Sequence, residues 1–200
     1  MIDAETGGEP GFAREGEPRL TVVSGPSGVG KSSVVAELRR RAPEVYFSVS
    51  VTTRQPRTGE VDGEHYHFVD HVEFRRMIDD GELLEYAQYA NNSYGTPRAP
   101  VDAALAAGRP AVLEIELQGA RQVRASMPEA QLVMLVPPSW DDLVERLRAR
   151  GTEDPGVVRA RLETAREELA ARDEFDAAVV NDDLQRTTSE LVRLVTGRRR

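Results

Sequence analysis

The sequence predicts an α/β fold, a mostly parallel and doubly wound sheet flanked by helices and broken once by a strand-rich excursion. Three observations carry that expectation. Short apolar, β-branched runs at 20–24, 111–117, 132–136 and 177–180 have the length and the bounding turn residues of buried strands. Segments with apolar residues at helical spacing lie between them, and strands alternating with helices build a parallel sheet covered on both faces. Residues 50–98 break this rhythm with short strand-like runs and turn clusters, so they are expected to form a separate lobe.

Taken in order, residues 1–18 are rich in Gly, Glu and Pro and read as a flexible acidic tail, without the apolar stretch of a secretory signal. The strand at 20–24 ends in a Gly/Pro/Ser cluster. Helix 31–41 follows, with Val34, Val35 and Leu38 on one face and Pro43 marking its end. A second strand is expected at 46–51, a polar turn-rich stretch at 52–64 and a strand at 66–69. Residues 72–80 form a helix stopped by Gly81, 83–89 a strand and 91–97 a turn region. An Ala-rich helix at 100–107 closes at Gly108. The strand at 132–136 is ended by Pro137 and Pro138. Ser139 and Asp142 carry the spacing of a capping box, which opens a helix to 150. A long helix at 155–171, the strand at 177–180 and a helix at 183–195 complete the chain.

Composition removes several function classes. The 200 residues hold 26 Lys+Arg against 34 Asp+Glu, a formal net charge of −8, and an acidic chain is poorly suited to general polynucleotide binding. There is no cysteine, which excludes disulfides, thiolate metal sites and cysteine nucleophiles. No apolar run approaches the roughly 18 residues of a membrane span. Neither nucleic acid nor membrane is therefore an expected partner, no obligate protein partner is evident, and the cytoplasm is the expected location. His65, His67 and His71 lack a further ligand type at useful spacing, so zinc is not expected.

Residues 25–32, Gly25-Pro26-Ser27-Gly28-Val29-Gly30-Lys31-Ser32, satisfy G-x-x-x-x-G-K-[ST] between a strand and a helix, the context that confirms the motif. Glycines let backbone N–H groups turn inward around phosphate oxygens, and the new helix adds its own unpaired N–H groups. Lys31 can reach the β- and γ-phosphates and the Ser32 hydroxyl can ligate Mg²⁺, with Ser33 beside them, so ATP or GTP is the expected ligand. Lys31 is also the only lysine of the chain. Downstream, Arg54 and Arg57 lie three apart on a polar segment near Tyr66, and planar guanidiniums with a phenol suit a terminal phosphate monoester.

The excursion carries a resemblance. Ser48, Ser50, Thr52-Thr53-Arg54, Pro56-Arg57, Gly59-Glu60, Gly63, Tyr66 and Phe68 meet every fixed position of S-x-S-x-T-T-R-x-P-R-x-G-E-x-x-G-x-x-Y-x-F, a pattern similar to that of the guanylate kinase family. Glu85, Tyr94-Gly95-Thr96, Gln118-Gly119, Arg146, Arg150 and Asn181-Asp182 extend the likeness over roughly residues 20–195. The resemblance implies the fold of P-loop nucleoside-monophosphate kinases: a parallel sheet core flanked by helices at 19–49, 99–138 and 156–197, a strand-rich GMP-binding lobe at 50–98 and a helical lid at 139–155. It implies ATP-dependent phosphorylation of GMP and dGMP with Mg²⁺.

It further implies that Arg54, Arg57, Tyr66 and Tyr94 hold the GMP phosphate with Glu60 nearby. Glu85, Ser50 and Thr96 would read guanine, since a carboxylate accepts its two N–H donors and a hydroxyl donates to its O6. Arg146, Arg150 and Arg161 would reach the transferring phosphoryl group. One position departs from the family: Glu116, with Glu114 before it, stands where aspartate is usual, in a supporting role toward Mg²⁺ through water or toward GMP.

Overall fold

The computed structural model describes residues 18–89, 91–149 and 155–197. The tail at 1–17, Arg150 and the middle of the expected lid at 151–154 lie outside the described residues. Among those described, nine strands build two sheets.

The larger sheet is parallel throughout. Its five strands are β1 (Leu20–Ser24), β2 (Tyr46–Phe47), β7 (Ala111–Glu114), β8 (Gln131–Val136) and β9 (Ala177–Val180), in spatial order β2-β7-β1-β8-β9. Helices cover both faces, which is why these strands are apolar on both sides. On one face α1 (Lys31–Arg41) and α7 (Leu184–Thr196) bury Val34, Val35, Leu38, Leu191 and Val195 against Val23, Val133 and Leu135. On the other, α3 (Arg98–Ala106) and α4 (Leu117–Ser126) bury Val101, Ala120 and Val123 against Val22, Leu113 and Leu132.

The smaller sheet has four strands, β3 (Val51–Thr52), β4 (His67–Phe68), β5 (Leu83–Tyr89) and β6 (Asn92–Pro97), in order β4-β3-β6-β5. Helix α2 (His71–Asp79), capped by Asp70 Oδ1 accepting from the Glu73 amide at 2.8 Å, packs Phe74 beneath it with Val51 and Leu83. Helices α5 (Trp140–Ala149) and α6 (Pro155–Ala170) meet through Leu143, Leu147 and Ala165.

Three expectations are corrected. The strand expected at 46–51 divides: the chain leaves the large sheet after Phe47 and joins the small one at Val51. The turn region at 91–97 is strand β6, whose polar residues pair with β3 on one side and β5 on the other. At Gly95 a Cβ would stand 2.9 Å from Leu83 Cδ1 and 3.0 Å from the Glu85 carbonyl oxygen, so this strand position leaves little room for a side chain. The strand at 111–117 ends at Glu114, the last residue with a β1 partner, and Glu116 is already the N-cap of α4.

Candidate active site

The phosphate loop is built where β1 stops. Gly25 and Gly30 both have positive φ, and a Cβ on either would collide, with the Leu135 carbonyl oxygen at Gly25 and with Asn181 Nδ2 at 2.6 Å at Gly30. Pro26 and Val29 are buried and joined by a turn in which the Val29 amide donates to Pro26 O at 3.1 Å. Gly28 rests against Leu147 of α5. Ser32 and Ser33 sit exposed in the first turn of α1. Lys31 is only 9% exposed, and its Nζ donates to Gly25 O at 2.5 Å and to Glu116 Oε2 at 3.3 Å.

Two carboxylates at the end of β7 face this loop. Glu114 Oε1 accepts from Ser32 Oγ at 2.7 Å, whereas Glu116 meets Lys31. A third carboxylate, Glu168 of α6, is 7% exposed, and its Oε2 has no hydrogen-bond partner. Burial, with the neighbouring Glu116 charge, pushes its pKa up to about 7 against the opposing pull of Lys31. Ser32, Glu114 and Glu116 present only oxygen donors, the set a hard cation such as Mg²⁺ takes.

Just past β3 of the small sheet, Arg54 is clamped by Glu60. Nη1 donates to Oε2 at 3.0 Å and Nη2 to Oε1 at 2.8 Å, while the Arg57 amide donates to Glu60 Oε2 at 2.7 Å. These bonds, those of Arg54 first, hold the Glu60 carboxyl down at about 2. The Arg54 guanidinium lies 5.3 Å from the Tyr66 ring centroid, and Tyr66 meets Tyr94 edge-on at 6.2 Å. The Arg57 residue is exposed beside them. The cluster offers fixed planar donors and two phenols, which suits a phosphate monoester.

Across the same sheet Glu85, 6% exposed, accepts from Thr96 Oγ1 at 2.6 Å. Burial raises its pKa, and the Thr96 hydrogen bond opposes the shift. Ser50, at the start of the sheet, is half-buried, and its carbonyl accepts from the His67 amide at 2.8 Å. A buried carboxylate that keeps one oxygen for a ligand suits a partner with adjacent N–H donors.

The guanylate kinase family model matches residues 17–197. The chain belongs to the guanylate kinase family. A guanylate kinase of Thermobifida fusca (strain YX) is 60% identical over 187 residues, covering 94% of this chain and 95% of that protein. One of Streptomyces coelicolor (strain ATCC BAA-471 / A3(2) / M145) is 58% identical over 180 residues, 90% of this chain and 91% of that one. The crystal structure of guanylate kinase from Anaplasma phagocytophilum matches with a TM-score of 0.70 at 30% identity, covering 92% of this chain and 87% of that one.

Two further arginines of this family member reach the loop. Arg146 of α5 donates to Val29 O at 3.2 Å and Asn181 O at 3.1 Å, and Arg161 of α6 donates to Ser27 Oγ at 2.7 Å. The structure thus brings Lys31, Ser32, Glu116, Arg146 and Arg161 to one loop. It gathers Arg54, Glu60, Tyr66 and Tyr94 into a second group, and Glu85 and Thr96 into a third. Sequence reasoning assigned no role to Glu114 or Glu168. The Glu-x-Glu spacing ending β7 could have signalled the first; nothing local marks the second.

Proposed function

We propose that the chain transfers the γ-phosphoryl group of Mg·ATP to GMP and dGMP. An oxygen of the acceptor phosphate attacks the γ-phosphorus, the bond to the β–γ bridging oxygen breaks, and ADP leaves with GDP or dGDP. The attacking oxygen is ionised near neutral pH, so no general base is needed, and catalysis rests on positioning and charge neutralisation. The observation that carries the acceptor's identity is the buried Glu85–Thr96 pair, whose Thr96 shares β6 with Tyr94 of the Arg54–Tyr66–Tyr94 cluster.

Residues 25–33 cradle the ATP phosphates and Lys31 bridges toward the transferred group. Arg54, Arg57, Tyr66 and Tyr94 bind the GMP phosphate, and Glu60 serves by holding Arg54 in its fork. Glu85 accepts guanine N1–H and N2–H₂. Since the Thr96 hydroxyl donates to Glu85, Ser50 is left to donate to O6. Arg146, Arg150 and Arg161 stabilise charge on the phosphoryl group in flight. Ser32, with Glu114 and Glu116 beyond it, would hold Mg²⁺, which when bound neutralises phosphate charge and fixes its geometry. Functionally the chain divides into a core at 19–49, 99–138 and 156–197, a GMP-binding lobe at 50–98 and a lid at 139–155. It acts in the cytoplasm, and no helix among the described residues is long and apolar enough to cross a membrane.

An ADP-release assay with ATP and a panel of GMP, dGMP, AMP and UMP tests the reading. Turnover is expected with GMP and dGMP, with AMP and UMP at least about a hundredfold less efficient. No turnover with GMP would sink it.

A further inference from the structure

We propose that Gly119 and Gln122, on the face of α4 turned to β5, are positioning residues that set the Glu85 carboxylate for nucleobase selection. This rests on the guanine reading above and names the residues that make it possible. Glu85 lies on β5, an edge strand whose other neighbour in the sheet is β6. Thr96 on β6 holds Oε1, and the open side of the strand is covered by α4.

A Cβ on residue 119 would stand 2.6 Å from Glu85 Oε2 and 3.2 Å from its Cδ. Carbon and oxygen do not approach so closely without a bond, so the observed carboxylate position exists only because residue 119 has no side chain. Backbone conformation does not demand glycine there. Gly119 is in the third position of a helix and is absent from the positive-φ residues. Glycine is a poor helix former, so its presence is explained by the space it leaves and not by the turn it permits.

The same helix face grips the strand on either side of Glu85. Gln122 Nε2 donates to Tyr86 O at 2.7 Å, and its Oε1 accepts from the Tyr86 amide at 3.1 Å. The side-chain amide thus pairs with the free edge of β5 as a neighbouring strand's peptide would. One turn later Ser126 Oγ donates to Leu84 O at 3.3 Å. Leu84 itself is buried in the main core with Ala120 and Val123, while Leu83 points into the small sheet's own core. Residues 84 and 86 are therefore fixed to α4, and the carboxylate between them faces the hole at Gly119. The N-cap of α4 is Glu116, in contact with Lys31, so the helix that seats the nucleobase reader begins at the phosphate loop.

A double-mutant cycle on the full chain tests this, with GMP and ATP-analogue affinities by calorimetry and melting temperature as readouts. Gly119→Ala is expected to weaken GMP by about tenfold or more while leaving the ATP analogue within about twofold. In a Glu85→Ala background the same change should add no further loss. Gln122→Ala should raise KM for GMP and keep kcat. Unchanged GMP affinity in Gly119→Ala, or an equal loss with and without Glu85, overturns the proposal. If Gly119→Ala does not fold, the double variant decides. Melting like Glu85→Ala alone supports the contact, and failure to fold places the clash elsewhere and overturns it. No GMP binding by the unaltered chain would instead fell the functional reading, and the nucleobase role with it.

Discussion

Glu85 is a carboxylate held in two opposing demands. Burial raises its pKa above the ordinary 4.5, because the charged form is the one penalised. For an acid whose folded pKa is raised, the stability it contributes is full below the unfolded value and is lost as pH rises through the folded value. Ligand binding runs the other way, since accepting both guanine donors takes the ionised form. GMP affinity is therefore expected to gain a rise with pH through that window that depends on Glu85. Glu85→Gln should weaken GMP by about ten- to a hundredfold, spare ATP and make the GMP profile less steep. Calorimetric titrations from about pH 5 to about pH 8 check this, and equal losses on both nucleotides would count against the role.

Among the elements, α5 shows how local chemistry supports a distant site. Ser139 Oγ accepts from the Asp142 amide at 3.1 Å and its hydroxyl donates to the Asp142 carboxylate, so the cap expected from sequence is made. The helix it opens carries Leu143 and Leu147 against the loop's Gly28, and Arg146 onto Val29. Ser139→Ala is expected to cost about 1 kcal/mol. In a chain of this size that lowers the melting temperature by about 2–4 °C. Ser139→Asp should keep most of the stability, and a calorimetric scan that found no difference between the two variants would refute the cap's role. The elements also show what the sequence made legible. Helix α1 starts at Lys31 and ends at Arg41 as expected, because a Gly-rich turn and a proline bracket an unambiguous helical face. Helix α4 was hidden because Gly119 weakens its helical signal and Leu117 continues the apolar run of β7. Strand β6 looked like a turn since Asn, Ser, Gly and Pro form strands only where neighbours on both sides supply the hydrogen bonds. At the site, Lys31 was visible through motif spacing and Glu85 only through the family resemblance. Glu168 was not, for it lies in a charge-rich helix where only tertiary packing separates a buried carboxylate from a solvated one.

At the scale of the molecule, the small sheet keeps a core of its own around Phe74 but sends Leu84 of β5 into the main core, and the chain crosses between the sheets at 48–50 and 97–98. The proposed donor and acceptor sites lie on different sheets, so phosphoryl transfer out of reach of water calls for the two to draw together. GMP with a non-hydrolysable ATP analogue is expected to reduce the radius of gyration in small-angle scattering; an unchanged radius would sink closure. The net charge of −8 also takes on a local meaning, because the acidic total coexists with arginines gathered around the two proposed phosphate positions.

Lys31 stands at the first residue of α1, almost shut off from solvent, and is the only lysine of the chain. A lysine-specific protease therefore has a single bond to attack, and that bond can be cut only when the phosphate loop and the helix behind it open. The rate at which the protein falls into two fragments is a clock for that one local opening, read on a gel and needing no label.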